Sequence, residues 1–356
     1  MKRLGLAAFT LLMVGGLGVL TWAAWPISVD QDSPDPALVQ LNQTTQTGVA
    51  FKEGYFESNG RTLHYVEAGD GQAIAFIHGF PSFWYSFAPQ LQALATQYRV
   101  ISVDGLGAGR SDAPSDIDAY RLKAMSEHIV ALLDHLGEDS FHLVGHDWGS
   151  ALALGIAQSE PHRIISVTGL SAPSLNAILH GLENDPEARE TAAYVEQFKS
   201  ANAPLLAVLG VSDRIYDGAY RPLVEDGKLT PEEGQLFRNA TSDPKRINTH
   251  INWYRANLPH PDDVQDADYW PSKDARVTVP ALYIWGADDP IYNDVAIKRL
   301  LDLSDDAQLI TLPNTKHWPH VREAKTVNRV IADHLAKATA NAKDQSSSGE
   351  DQSSNE

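Results

Sequence analysis

The stretch Leu143 to Gly149, Leu-Val-Gly-His-Asp-Trp-Gly, constrains this chain more than any other. The apolar run Phe141 to Val144 reads as a short buried strand, and Gly145 and Gly149 bracket a turn into the Ala-rich run Ser150 to Ala157. A strand, a sharp glycine-flanked turn and a helix in that order make a nucleophile elbow, which holds one side chain exposed on a strained turn at the end of a sheet. The side chain so placed is Asp147. A carboxylate is a poor acyl nucleophile, but it displaces a leaving group from an alkyl carbon to give an ester that a second step can open.

Around this stretch, strand and helix patterns alternate. Tyr55 to Glu57 and Leu63 to Glu67 flank Ser58-Asn59-Gly60, a hairpin signal. Ala73 to His78, Val100 to Val103, Phe141 to Val144, Ile164 to Leu170, Ala281 to Trp285 and Ala307 to Leu312 supply further strands. Helices are expected near Phe83 to Ala95, Ala119 to Leu136, Ser150 to Gln158 and Ala324 to Ala338. This rhythm implies an α/β fold with a mainly parallel sheet covered by helices on both faces. It breaks between about Ser171 and Ser272, where helical patterns such as Glu187 to Lys199 and Pro231 to Arg238 occur with many prolines and no convincing strand. That stretch reads as an inserted helical cap, set over the strand ends where ligands bind in such folds.

The expected organisation is therefore an N-terminal segment 1–25, a linker 26–50, a first core part 51–170, a cap 171–272, a second core part 273–340 and a disordered acidic tail 341–356. Lys2 and Arg3 precede an uncharged, mainly apolar stretch from Leu4 to Trp25. As a helix at ~1.5 Å per residue it would span roughly 33 Å, about one hydrocarbon core. The expectation is an uncleaved membrane anchor, with a secretory signal cut after Thr21-Trp22-Ala23 as the alternative. Asp30, Asp32 and Asp35 follow with no basic residue before Lys52, so the bulk is expected outside the cytoplasm, periplasmic in a bacterium. A formal net charge of −18 with no basic stripe argues against nucleic acid as a partner. The absence of cysteine removes disulfides, thiolate nucleophiles and cysteine-ligated metals.

An elbow of this kind works with an acid and a histidine that follow it in that order. After the strand Ala281 to Trp285 comes Gly286-Ala287-Asp288-Asp289-Pro290, and after Ala307 to Leu312 comes Pro313-Asn314-Thr315-Lys316-His317. Asp289 is the expected acid, with Asp288 as its alternative, and His317 the expected base, with His320 read as a solvated loop residue. His78-Gly79-Phe80-Pro81 directly follows a strand, so the N–H groups of Phe80 and Trp148 are the expected oxyanion donors.

These motifs, with Asp104 through Gly109-Arg110-Ser111-Asp112, resemble the α/β-hydrolase superfamily, in its epoxide hydrolase and haloalkane dehalogenase branch, over about Phe51 to Ala338. The resemblance implies an α/β-hydrolase fold and a structural loop at Asp104 and Arg110. Epoxide hydrolases of this branch use two cap tyrosines as acids. Tyr254, in Asn252-Trp253-Tyr254-Arg255, and Tyr194, with Phe198 four places on, are similar to those positions; Tyr216 and Tyr220 are fallbacks. The expected activity is opening of a small apolar epoxide to a vicinal diol through an aspartyl ester, with no cofactor or metal. Two alternatives stay open. A haloalkane dehalogenase would need a second halide donor where Phe80 stands, with Trp253 or Trp270 as candidates, and a ligand-binding protein would keep the fold without turnover.

Overall fold

The structure is a computed structural model that describes residues 27, 31–292 and 294–353. All eight expected strands form: β1 Lys52–Ser58, β2 Arg61–Ala68, β3 Ala73–Ile77, β4 Arg99–Val103, β5 Phe141–His146, β6 Ile164–Leu170, β7 Ala281–Gly286 and β8 Ala307–Leu312. They make one sheet in the order β1-β2-β4-β3-β5-β6-β7-β8. The β1–β2 and β2–β4 pairs are antiparallel and every later pair is parallel. Asn59 and Gly60 close the β1–β2 hairpin with φ of 51° and 69°, the positive pair that matches a two-residue turn to the strand twist.

The two faces of the sheet follow from period-2 alternation. In β3, Ala73, Ala75 and Ile77 join one apolar cluster and Ile74 and Phe76 the other. Helices Leu122–His135 and Trp148–Ser159 cover the first face; helix Ala88–Leu94 and the last helix cover the second. Between β6 and β7 the described residues contain helices and no strand, as the pattern between Ser171 and Ser272 implies. The stretch expected as one helix, Glu187 to Lys199, divides at Ala192 into Pro186–Thr191 and Ala193–Ser200.

Two terminal expectations are corrected. Part of the supposed linker folds: Pro36–Thr44 is a helix with Ala37 and Leu41 buried on one face. Asp35 caps it by accepting the Ala37 N–H at 2.9 Å, and its other oxygen accepts the Trp84 indole N–H at 2.8 Å. Composition hid this because an Asp-Pro cap and two apolar residues four apart occupy little sequence. At the other end the last helix is Ala324–Ser353, through residues expected to lack regular structure; no proline interrupts the run, though its Ser, Asp and Gly residues are weak helix formers. The anchor expected over residues 4–25 lies outside the described residues. Among those described, no helix is long and apolar enough to cross a membrane.

The loop after β4 is held by a buried charge network. His64 Nδ1 lies 2.7 Å from Asp104 Oδ2 and its Nε2 3.2 Å from Glu53 Oε2, so the ring donates from both nitrogens and is an imidazolium. Burial opposes that charge, but the hydrogen bonds to Asp104 and Glu53 outweigh it and raise the pKa to about 9. Asp104 also accepts the main-chain N–H groups of Trp84 at 2.8 Å and Arg110 at 2.9 Å. The structural role implied for this loop is what these bonds provide.

The elbow itself depends on two glycines. A Cβ on Gly149 would lie 1.9 Å from the Ile77 carbonyl oxygen of β3, and one on Gly145 would lie 2.1 Å from the Gly149 carbonyl oxygen. These contacts are with main chain, which cannot swing aside. Gly149→Ala is therefore expected to lower the unfolding free energy by roughly 1–3 kcal/mol. Gly218→Ala, whose added Cβ would meet nothing within 4 Å, should leave it unchanged or higher. Urea unfolding of the two variants compares them, and equal midpoints would refute the close-contact account.

Candidate active site

The turn after β5 places Asp147 at φ 54° and ψ −126°, a strained conformation for a residue with a side chain, at a cost of about 1–3 kcal/mol. The surroundings hold it there. The Asp147 N–H donates to the Leu170 carbonyl at 2.9 Å, and its carbonyl accepts from Ser150 at 2.8 Å as the helix Trp148–Ser159 begins. The carboxylate is 4% exposed and sits between two other groups. Oδ1 accepts the Phe80 main-chain N–H at 2.9 Å, and Oδ2 lies 3.4 Å from His317 Nε2. Trp148 opens the helix, so its N–H is one of the amides at a helix start without an intrahelical acceptor.

His317 completes the line. Its Nδ1 lies 2.9 Å from Asp289 Oδ2, the side chain of Asp289 being fully buried, while Asp288 is exposed and plays no part. Burial disfavours charge on His317, yet hydrogen bonds to Asp147 and Asp289 more than compensate and raise its pKa to about 10. His317 thus holds its proton in the resting site, between the side chains of Asp147 and Asp289.

An aromatic enclosure stands over Asp147. The Tyr254 ring meets Trp148 at 5.1 Å, Phe80 at 5.4 Å and Phe198 at 5.5 Å between centroids, and Tyr194 follows at 6.3 Å. Burial first pushes both tyrosine pKa values upward, followed by the charge of Asp147 at Tyr194 and by Tyr194 and then Asp147 at Tyr254. These phenols therefore stay protonated and serve as donors. The fallback tyrosines are engaged elsewhere. Tyr220 donates to the Pro81 carbonyl at 3.2 Å and stacks on Phe237, and Tyr216 packs against Tyr220 at 6.4 Å. Trp253 spends its indole N–H on the Leu106 carbonyl at 2.8 Å, and the Trp270 ring lies against Gly155.

Asp147, Asp289, His317, Tyr254, Tyr194 and the Phe80 N–H thus come together although they are far apart in the chain. Three residues of the neighbourhood were not anticipated. Tyr292 follows the acid by three positions on the same loop, and its half-buried phenol feels Asp147, Tyr194 and Asp289 after the larger effect of burial. Its place beside Asp289 was the available signal. His146 is fully buried behind the nucleophile, and His320, expected to be solvated, is fully buried against it with ring centroids 4.3 Å apart. The correction at His320 has a plain cause: the loop turns inward under the segment 84–94, where the Gln90 side chain donates to the His320 carbonyl at 3.0 Å.

His78 makes contacts that hold loops together. Its Nδ1–H donates to the Gly79 carbonyl at 2.9 Å and its Nε2 accepts the Gly105 N–H at 3.1 Å, tying the Phe80 loop to the loop after β4.

Comparison with known proteins agrees with this geometry. The family described as alpha/beta hydrolase fold matches residues 72–324. An epoxide hydrolase of Caballeronia sordidicola is 31% identical over 79% of this chain and 92% of its own length. Epoxide hydrolase 3 of Xenopus tropicalis is 28% identical over 80% of this chain and 78% of its own. A solved structure from a study of epoxide hydrolases in metagenomes from hot environments superposes with a TM-score of 0.71 at 27% identity, covering 80% of this chain and 98% of that one. With the family spanning most of the folded chain and a relative above three-tenths identity matched along nearly its whole length, this protein belongs to the α/β-hydrolase fold family, in its epoxide hydrolase branch, and is a hydrolase.

Proposed function

We propose that this protein hydrolyses a small apolar epoxide to a vicinal diol through a covalent ester on Asp147. One observation carries the reading. The two oxygens of a single carboxylate are already divided between the two jobs such chemistry needs: Oδ1 rests on the Phe80 N–H and Oδ2 faces the pocket beside His317.

In the first step Oδ2 attacks an epoxide carbon and the ring C–O bond breaks. The oxygen that leaves takes hydrogen bonds from Tyr254 and Tyr194 and a proton from one of them, which an alkoxide leaving group requires. Esterification removes the charge of Asp147, and with it much of what holds a proton on His317. His317 then sheds that proton, which makes good the one lost by the phenol. The base is created by the step that needs it next.

In the second step neutral His317, held by Asp289, takes a proton from water while the water oxygen adds to the Asp147 carboxyl carbon. Negative charge gathers on Oδ1, where the Phe80 N–H already stands and where the Trp148 N–H, at the start of the helix, would be the second donor. Collapse breaks the bond from the carboxyl carbon to Oδ2, the departing alkoxide takes the proton of the newly added hydroxyl to become the diol, and Asp147 is again a carboxylate beside a protonated His317, as at rest. Epoxide and water are consumed, and no other reactant is involved.

The pocket favours an epoxide over an alkyl halide. Halide release calls for a second N–H donor beside Trp148; Trp253 spends its indole N–H on Leu106 and the Trp270 ring packs on Gly155, whereas two phenols are close enough to Asp147 to feel its charge.

Three outcomes are expected. A single turnover in ¹⁸O-labelled water should leave the diol unlabelled and put the label in the peptide containing Asp147, and His317→Gln should accumulate the ester as a mass increase equal to one substrate. Label in the first-turnover diol would refute the covalent route. Tyr254→Phe should slow ester formation by about 10²-fold or more, while a brominated alkane tested on the same variant shows whether halide release depends on it. For pH, the proton on His317 should be lost from the free enzyme only near pH 10, and Asp147→Asn should move that titration downward. Imidazole ¹⁵N shifts measure both, and an unmoved titration in Asp147→Asn would contradict the switch.

A further inference from the structure

Sheet order sets a problem that the Asp147–His317 contact alone does not solve. The nucleophile leaves the end of β5 and the base follows β8, with β6 and β7 between them. Three strand spacings amount to roughly 14 Å. The base loop must double back across two strand ends and then fix the position of an imidazole, 3.4 Å from the Asp147 carboxylate, to a fraction of an ångström.

The residue immediately before the nucleophile meets the base loop. His146 Nε2 lies 2.7 Å from the main-chain carbonyl oxygen of His317. A carbonyl only accepts, so Nε2 carries the proton and donates. The loop also folds around the ring of His146, with centroid distances of 5.0 Å to His317, 4.7 Å to Trp318 and 4.3 Å to His320. Its far side is pinned by Phe87, 5.0 Å from the His320 ring, and by the Gln90 side chain on the His320 carbonyl.

This arrangement is not ordinary core packing. His146 and His320 are fully buried, and among the described residues His146 Nδ1 and both ring nitrogens of His320 find no hydrogen-bond partner. An apolar ring of the same shape would fill this space without leaving polar atoms unmet. What an apolar ring lacks is the one donor that is used, the Nε2–H. Burial, and then the neighbouring His320 and His317, keep His146 neutral, so that donor and its tautomer are fixed while His317 charges and discharges.

We propose that His146 is a positioning residue for ester hydrolysis, its Nε2–H bond to the His317 carbonyl setting the distance and angle of the base relative to the nucleophile next to it in the chain. Nucleophile and base are thereby referenced to one residue. Alkylation of Asp147 does not need this bond, because attack by Oδ2 uses no proton transfer to His317. Hydrolysis does, because the imidazole must be aimed at a water that lies over the ester carbon. The proposal rests on the reading of Asp147 and His317 given above.

His146→Phe keeps the ring and removes the donor, and His146→Gln returns an N–H at similar reach. With styrene oxide as the probe, rapid-quench measurement separates ester formation from ester breakdown. His146→Phe should slow breakdown by roughly ten- to a hundredfold while formation stays within about twofold, and His146→Gln should recover most of the loss. Breakdown at the wild-type rate in His146→Phe, or equal slowing of both steps in both variants, would overturn the proposal. A second readout needs no substrate: the low-field proton resonance of the His317–Asp289 hydrogen bond should shift in His146→Phe and return in His146→Gln. If neither the wild-type protein nor His317→Gln ever forms an ester, the epoxide reading falls by itself. The resonance still decides the positioning claim, and an unshifted line would end it.

Discussion

Everything in this molecule that bears on chemistry depends on the closeness of the turn after β5 to β3. Because Gly149 presses against the Ile77 carbonyl and Gly145 against Gly149 itself, the chain reverses within a few residues and Asp147 is left with a left-handed φ and a side chain standing off the sheet. The loop that follows β3, which carries the Phe80 N–H, is by the same contact brought beside the carboxylate. One packing constraint thus places both the proposed nucleophile and the N–H proposed as the first donor for its oxyanion. A side chain at either glycine would not merely destabilise the turn; it would separate the two.

Electrostatics then sets the order of events. An imidazolium lies between two carboxylates in the resting site, and its pKa of about 10 would make it useless as a base at neutral pH. In the proposed reaction one of the two negative charges is lost when Asp147 becomes an ester, and the ring is then free to act as the base. The buried position matters, since in water the same charge change at 3.4 Å would be screened to a small effect. A second imidazolium, His64 between Glu53 and Asp104, shows the same physics applied to structure: its partners are never esterified, so it keeps its proton and holds the loop after β4 in place.

The helices between β6 and β7 supply what the sheet cannot. Strand-end loops bring Asp289, His317 and Asp147 together, but in the proposed reaction the donors for a leaving oxygen must come from the opposite side of the substrate. Tyr254 and Tyr194 come from two separate helices, Asn252–Asn257 and Ala193–Ser200, and meet over Asp147 among Trp148, Phe80 and Phe198. Closing that side with aromatic rings also removes water from around the phenols, which keeps them protonated. Shape and acid strength are therefore one property of the same packing.

What the sequence determined by itself was everything encoded within a few neighbouring residues. The eight strands, the Asn59-Gly60 turn, the elbow at Asp147 and the two loops with Asp289 and His317 were legible because each is a local pattern at a strand end. The resemblance carried by these motifs extended that reading to Tyr254 and Tyr194. What only the tertiary structure decided depends on contacts between distant segments. The helix Pro36–Thr44 is fixed by a bond from Trp84 to Asp35, a link with no local trace. His320 reads as a surface histidine until the loop is seen turning under Gln90. Tyr292 carries no motif, and His146 reads only as the residue before the nucleophile until its N–H is found on the carbonyl of the base. The backbone writes strands and turns in short-range preferences; the distance from a nucleophile to its base across three strands is set by packing, and packing is a property of the folded chain.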